Sequence, residues 1–361
     1  MSEEDGGTMG RDTHLTVRVV EVVRETADAH SLVLEPVDAP EGDARFSYRP
    51  GQFLTVRVPT ERPGGAARCY SLCSSPLRDE KLRITVKRTE NGYGSNWICD
   101  HVAEGDTLDV LRPAGTFTPD SLDQDFLLLA AGSGITPVMS ILTSALHSGT
   151  GSVTLLYANR DERSVIFRDE LVALAAEFGD RLTVLHWLES VQGLPTGPGL
   201  RALARPCTDR QAFICGPGPF MELATATLTG MSVPADRIRV ERFTSLTGDP
   251  FAAPDTSGDP ADGPPAEDGP VGEVEVALDG TTRTLPWPSG RKLLDVLLAA
   301  GLEAPYSCRE GTCGACTCRL VEGEVAMEHN EVLDDRDVAD GYVLACQALP
   351  LGERTRITYD G

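Results

Sequence analysis

"FLLLAAGSGITPVMSILTSALHSG", residues 126–149, opens on six apolar residues in a row and passes through a glycine turn into a segment with apolar positions at helical spacing. A run that apolar, with no alternation, reads as a strand covered on both faces, and a helix begun directly after it is the unit of parallel sheets. Glycines at the turn let a dinucleotide pyrophosphate approach the N–H groups at the helix N-terminus. The stretch is only part of the G-x-G-x-x-G fingerprint, since Pro137 stands where the last glycine would be.

The same unit recurs down the chain. "VTLLYA" (153–158) runs into "NRDERSVIFRDELVALAAEF", "RLTVLHWL" (181–188) into a broken segment, "AFICG" (212–216) into "PGPFMELATATL", and "IRVERF" (238–243) closes the series. Residues 121–248 therefore read as an α/β domain with a parallel sheet. "CGPGPF", 215–220, repeats the strand end, glycine and helix start, and puts Cys215 where ligands of such sheets bind. A lone cysteine there is otherwise simply core.

Upstream, 12–120 breaks into short alternating strands ("LTVRVVEVV", "SLVLEP", "GQFLTVRVP", "LRITVKR", "TLDVLRP") with no long helix, which predicts an antiparallel β-barrel. It contains "RCYSLCSSP" (68–76) and "VKRTENGYGSNWICD" (86–100). Arg68, Gly94, Ser95 and Asn96 suit a phosphate, by charge and by backbone amides, and Tyr70 offers a flat face to an aromatic ring. Taken alone, such a stretch is ordinary barrel structure.

Downstream, "DPFAAPDTSGDPADGPPAEDGP" (249–270) holds six prolines and six acidic residues without Lys or Arg and reads as a flexible linker, with a reach of about 25 Å. Residues 1–11 read as a disordered tail. The last stretch, 271–361, opens with "EVEVALDGTTRTL", a hairpin around Asp279-Gly280, followed by "KLLDVLLAAG", a helix with Ser289 as N-cap and Gly301 at its end. With eight basic and sixteen acidic residues it is a small acidic α+β module.

That module carries "YSCREGTCGACTCRL", 306–320. Cys308, Cys313 and Cys316, with Cys346 in "GYVLACQA", follow the C-x4-C-x2-C…C spacing of plant-type 2Fe-2S centres. Gly311 and Gly314 supply the permissive backbone such a loop needs. Cys318 lies two residues on, in what reads as a strand, and is expected to be a small buried hydrophobe. Structural zinc is the alternative for four thiolates, although zinc loops usually pair their cysteines at short spacing.

Composition narrows the classes. The 361 residues are enough for two or three domains, and 41% hydrophobic with 24% charged residues is ordinary for a soluble globular protein. The longest apolar run falls far short of the roughly 20 residues of a membrane helix, and the acidic N-terminus has no secretory h-region, so a soluble, cytoplasmic protein is expected. In that compartment ten cysteines point to metal ligation where they cluster, not to disulfides. A net charge of −23 argues against nucleic acid and fits docking on a basic protein surface. It equally fits a general surface acidity.

"RCYS", "GYGSN", "GSGITP" and "CGPGPF", in that order, resemble the ferredoxin-NADP reductase superfamily, and the C-terminal cysteine spacing resembles a fused plant-type ferredoxin of β-grasp fold. The likeness runs from about residue 12 to the end of the chain. The longer stretches, "FLLLAAGSGITPVMSI", "VTLLYANRDERSVIF" and "FICGPGPFM" among them, most resemble the reductases of bacterial 3-ketosteroid 9α-hydroxylases. Reductases of phenylacetyl-CoA oxygenases share the architecture. The resemblance implies FAD, with FMN as the alternative, besides NADH and a 2Fe-2S cluster. It implies that Arg68 binds the flavin pyrophosphate, Tyr70 lies against the isoalloxazine and Ser71 hydrogen-bonds near its N5, while Lys87 and Gly94 to Asn96 complete that site. Gly132, Gly134 and Thr136 would hold the nicotinamide dinucleotide, with Cys215 and Gly216 by the nicotinamide and Phe243 over the flavin's other face. Tyr70, Ser71 and Cys215 would be the catalytic groups.

A nicotinamide yields two electrons together and a 2Fe-2S cluster takes one at a time, so a flavin is needed between them. Plant-type clusters lie near about −400 mV and Rieske centres at roughly −150 to +300 mV, so delivery to a Rieske oxygenase is downhill by at least about 250 mV. The single Cys-x-His, Cys99-Asp100-His101, is followed by no second Cys and His pair at the short spacing a Rieske centre needs, so the chain is not itself such an oxygenase. The expected protein is a monomeric NADH-dependent reductase docking transiently on a Rieske-type oxygenase through its acidic ferredoxin domain. A non-enzymatic iron-sulfur redox sensor is the competing reading. "YANRDERS" carries Asp161 beside Arg160 and lacks a dense basic patch for a 2'-phosphate, which favours NADH over NADPH.

Overall fold

The computed structural model describes residues 14–40, 42–60, 66–243, 245, 246, 248–252 and 272–360. The expected tail and most of the expected linker lie outside the described residues. The described chain forms two compact units, Thr16–Thr247 and the residues from Gly248 onward with His14 and Leu15.

The first unit begins with six strands: β1 (Leu15–Thr26), β2 (Ala29–Pro36), β3 (Phe53–Arg57), β4 (Ala67–Ser71), β5 (Leu82–Lys87) and β6 (Thr107–Val110), with helix α1 (Tyr93–His101) between the last two. They form one sheet in the order β4-β3-β6-β1-β2-β5. It curls until its two edges meet at a single bridge between Leu72 and Ile84, so the antiparallel barrel that the period-two alternation predicts is realised as a half-barrel. Helix α1 was not legible in the alternation; its first turn is the "YGSN" segment.

The second half of this unit is the repeat of strand and helix. Strands β7 (Phe126–Ala131), β8 (Val153–Asn159), β9 (Leu182–Leu188), β10 (Gln211–Cys215) and β11 (Ile238–Glu241) are parallel in the order β11-β10-β7-β8-β9. Helices α2 (Ile135–Ser148), α3 (Arg168–Glu177), α4 (Glu189–Gln192), α5 (Gly197–Ala204) and α6 (Gly218–Thr229) connect them. Alternate residues of each strand feed two cores. Leu128, Ala130, Leu155, Tyr157, Phe213 and Cys215 pack with α2 and α3, whereas Leu127, Leu129, Leu156, Ala212 and Ile214 pack with α5 and α6. Burial on both faces explains why β7 and β8 show no polar alternation. The first core also takes in Ala29, Cys73 and Phe117 of the half-barrel, so the two sheets share one apolar interior.

In the second unit, β12 (Gly272–Leu278) and β13 (Thr281–Trp287) form the expected hairpin, with Asp279 and Gly280 both at positive φ (51° and 70°) as a type I′ turn demands. Helix α7 (Leu293–Ala299) follows, then β14 (Thr317–Glu322), β15 (Val325–Met327), helix α8 (Asp335–Ala339), β16 (Tyr342–Leu344), β17 (Ala348–Pro350) and β18 (Arg354–Thr358). The main sheet has the order β13-β12-β18-β14-β16, with β12 and β18 parallel, and wraps α7 through Leu293, Leu294, Val296 and Leu297; β15 pairs with β17 apart from it. Ser289 is not the N-cap of α7. Gly290 turns the chain at φ 79°, the Arg291 N–H closes back on the Pro288 carbonyl, and the helix begins only after Lys292. Its other end is as expected: Gly301 sits at φ 71° and the Leu302 N–H reaches back to the Leu297 carbonyl, a Schellman closure.

Candidate functional site

Strand order in the parallel sheet reverses at β7, which lies between β8 and β10, so the topological switch point, the crevice position of such sheets, is at the C-terminal ends of β7 and β10. The turn Gly132–Gly134 fills the end of β7, with Gly132 at φ 52° and its carbonyl accepting from Tyr157 Oη at 3.1 Å. A Cβ on Gly134 would fall 2.1 Å from the Cys215 carbonyl oxygen, so the two strand-end loops touch through a position only glycine can occupy. Thr136 is buried and its hydroxyl donates to the Ser133 carbonyl at 3.0 Å: it shapes the turn. Cys215 ends β10 with its thiol wholly buried, and burial pushes that thiol well up. Gly216 follows it against Ala131, where a Cβ would lie 2.9 Å from the Ala131 Cβ.

Across the crevice stands the half-barrel edge. Lys87, the last residue of β5, brings its Nζ to 3.6 Å from where a Gly132 Cβ would be and to 4.0 Å from Asp28. Desolvation holds its ammonium below the usual lysine range. Arg68, Tyr70 and Ser71 lie on β4, paired with β3 in the register Val56 to Arg68, Leu54 to Tyr70 and Phe53 to Ser71. Ser71 is buried, and burial pushes the Tyr70 phenol up. The Arg68 guanidinium donates to the Ala67 carbonyl at 2.7 Å and the Leu246 carbonyl at 3.5 Å. Gly94 makes room for it, since a Cβ there would fall 2.8 Å from Arg68 Cγ.

The side chains of Ser95 and Asn96 bond within their own segment. Ser95 Oγ accepts from the Thr89 N–H at 3.1 Å, and Asn96 Nδ2 donates to the Thr89 and Gly92 carbonyls. Both side chains brace the loop ahead of α1, and what the segment offers an anion is the N–H groups of the first helical turn. Phe243 is 48% exposed beyond β11. One group at the crevice escaped the sequence reading: Glu241, the register partner of Cys215 at the end of β11, whose carboxyl is pushed up to about 8 by burial. A carboxyl titrating near neutrality can hold or release a proton there.

In the second unit the four cysteines of the expected set converge. The Cys308 N–H points at Cys313 Sγ at 3.5 Å and the Cys346 N–H at Cys316 Sγ at 3.4 Å. The Glu310 N–H reaches Cys308 Sγ at 3.3 Å and the Ala315 N–H reaches Cys313 Sγ at 3.5 Å. Hydrogen bonds from Cys313 and Cys346 lower Cys308, and one from Cys346 lowers Cys316, while Cys313 and Cys346 are raised by sharing protons with those same thiols. Sulfurs close enough to share protons are a donor set in which metal can replace the protons. Among the described residues no three His, Cys, Asp or Glu groups gather as ligands of a single ion. The four sulfurs instead form a linked chain, Cys313 with Cys308, Cys308 with Cys346 and Cys346 with Cys316, a set of four thiols that suits a binuclear centre better than a single ion.

Two details fit the cluster further. Thr312 Oγ1, in the loop between the first two cysteines, is buried without a hydrogen-bond partner. Gly311 sits at φ 78° with room for no side chain, because a Cβ would fall 2.7 Å from the His329 carbonyl oxygen. Cys318 lies in β14, 2% exposed, within the apolar core of the unit, where burial pushes its thiol up.

Three stretches match known domain families: an oxidoreductase FAD-binding domain over 17–118, an oxidoreductase NAD-binding domain over 128–226, and a 2Fe-2S iron-sulfur cluster binding domain over 276–351. The chain is 55% identical over 366 residues to the 3-ketosteroid-9-alpha-monooxygenase ferredoxin reductase component of Mycobacterium tuberculosis strain H37Rv, covering 100% of each chain. It is 53% identical over 349 residues to the protein of the same name from Rhodococcus rhodochrous, covering 97% of each. Among solved structures it is similar to phthalate dioxygenase reductase, described as a modular structure for electron transfer from pyridine nucleotides to [2Fe-2S], at TM-score 0.55 and 25% identity over 96% of this chain and 98% of that one. No helix of the described residues is long and apolar enough to cross a membrane.

Proposed function

The chain belongs to the family of ferredoxin reductase components of 3-ketosteroid-9-alpha-monooxygenase, and from that membership we propose that it delivers electrons from NADH, through FAD and one 2Fe-2S cluster, to a Rieske-type oxygenase acting on a 3-ketosteroid. It is an electron-transfer oxidoreductase with FAD-, NAD- and 2Fe-2S-binding domains. The observation that carries the proposal is the approach of Lys87 Nζ to within 3.6 Å of the Gly132 Cβ position, which sets the glycine turn of the parallel sheet directly opposite the half-barrel edge.

We assign 12–120 to the flavin, 121–248 to the nucleotide, 249–270 to a linker and 271–361 to the cluster. Arg68 and the N–H groups of Gly94 and Ser95 hold the flavin pyrophosphate. Tyr70 lies along the ring, Ser71 hydrogen-bonds at its edge, and Phe243 covers the face left open. Gly132 and Gly134 let a nucleotide pyrophosphate reach the N-terminus of α2, with Thr136 keeping the turn in shape. Cys215 and Gly216 back the nicotinamide, and Glu241 holds a proton beside them. When bound, the flavin takes two electrons from the nicotinamide and passes them on singly. Cys308, Cys313, Cys316 and Cys346 hold the cluster, and the surrounding acidic surface meets a basic face of the oxygenase. The protein works as a cytoplasmic monomer.

Anaerobic addition of NADH to the purified protein tests this. Flavin absorbance should bleach and the EPR signal of a reduced 2Fe-2S cluster should follow. A cluster present with no bleaching would mark an iron-sulfur sensor instead.

A further inference from the structure

Gln347 follows Cys346 directly and is 3% exposed. Its side-chain Nε2 donates to the Arg309 carbonyl at 3.0 Å and to Cys346 Sγ at 3.5 Å, and its Oε1 accepts from Lys292 Nζ at 3.4 Å. The amide cannot reverse, since an ammonium only donates and a carbonyl only accepts. Its partners are themselves held. Arg309, at φ 59°, ion-pairs with Asp295 and donates to the Ala252 carbonyl at 3.1 Å. Lys292 lies 3.1 Å from Glu328. On the other flank a Cβ at Gly311 would fall 3.0 Å from Gln347 Cγ, so the cysteine loop closes tightly over this side chain.

We propose that Gln347 is a positioning residue for the cluster, and that Lys292, by fixing its amide, keeps an N–H on the Cys346 sulfur and thereby raises the cluster's reduction potential. The inference rests on Cys346 being a cluster ligand. Reduction adds one electron, and part of that charge falls on the ligand sulfurs. A donor aimed at one of them therefore favours the reduced form more than the oxidised one. Lys292 acts through the amide because its ammonium bonds the oxygen, leaving only the N–H side facing sulfur.

The test is an anaerobic redox titration of the full-length holoprotein, with the EPR signal of the reduced cluster followed against potential. Gln347→Leu and Lys292→Met should each make reduction about tenfold less favourable, about 59 mV for one electron. Lys292→Arg should restore the potential, and Lys292→Met combined with Gln347→Leu should shift it no further than Gln347→Leu alone. Iron content and visible absorbance report loading separately. Absence of a cluster from the parent protein overturns the ligand reading, whereas loaded variants at the parent potential, or fully additive shifts, overturn the role of Gln347. The Lys292 side chain is partly exposed, so Lys292→Met decides the question even where Gln347→Leu fails to load.

Discussion

Cys215 and Glu241 are register partners at the ends of adjacent parallel strands, a wholly buried thiol beside a carboxyl pushed up to about 8. Burial is the cause of that shift. In the unfolded chain the same carboxyl ionises near 4.5. From there up to about 8 the unfolded chain holds fewer protons than the folded one, so stability falls as pH rises through that window and levels off above it. Glu241→Gln removes the titration. Its unfolding free energy should therefore gain on that of the parent as pH rises from about 5 to about 8, by no more than about 1.4 kcal/mol per pH unit, read by denaturant unfolding at each pH. A gap independent of pH would show that the carboxyl is solvated.

The contact between Gly134 and Cys215 predicts a different failure. The atoms that a Cβ at Gly134 would meet are backbone, the Cys215 carbonyl at 2.1 Å and the Gly216 nitrogen at 2.6 Å, and neither can swing aside as a side chain can. Gly134→Ala should push the two strand-end loops apart and cost about 1–3 kcal/mol by thermal or denaturant unfolding. Gly218→Ala is the control, because nothing lies within 4 Å of that Cβ position. It should leave stability within about 0.5 kcal/mol. Equal effects of the two substitutions would refute the close approach.

Much of this architecture is legible in periodicity alone. Six uninterrupted apolar residues announce β7, and the alternation of "EVEVAL" with Asp279-Gly280 announces the β12–β13 hairpin. The convergence of Cys308, Cys313, Cys316 and Cys346 was legible because their spacing along the chain is itself a pattern. Other features depend on partners distant in sequence. Glu241 sits in an alternating strand like any surface charge, and only the pairing of β11 with β10 sets it beside Cys215. Gln347 looks unremarkable until the fold brings Lys292 and Arg309 to it. Helix α1 is hidden by its Gly, Ser and Asn, and α7 starts late because Gly290 takes a left-handed turn that no cap residue signals.

The cysteine assignment separates two residues that the sequence places close together. Cys316 and Cys318 are separated by one intervening residue, yet Cys316 Sγ accepts from the Cys346 N–H while Cys318, paired with Val343 across the strands, interacts with the Tyr359 hydroxyl and with none of the cluster-set N–H groups. Cys346→Ser should lose the cluster's visible absorbance and iron while keeping NADH-driven reduction of ferricyanide, which the flavin alone can perform. Cys318→Ser should keep its iron and lose about 1–3 kcal/mol of stability from the hydroxyl placed in the apolar core of the unit. Iron retained in Cys346→Ser, or lost from a folded Cys318→Ser, reverses the assignment.

The half-barrel and the parallel sheet are also tied by charge. Arg83 of β5 donates through Nη2 to both carboxylate oxygens of Glu170 on α3, at 2.9 and 3.1 Å, and its guanidinium lies 5.1 Å from the centre of the Phe167 ring. Both side chains are mostly buried, at 21% and 28% exposure, so each would face a dry neighbourhood if its partner were lost. Removing one partner alone then costs more than removing both, because the single variant leaves an unpaired, partly desolvated charge. Glu170→Gln and Arg83→Met should each lower stability by roughly 1–3 kcal/mol, and the double variant by clearly less than their sum. The stated quantity is the coupling energy from a double-mutant cycle in urea, expected at about 1 kcal/mol or more. Simple additivity would mean that the pair is solvent-screened.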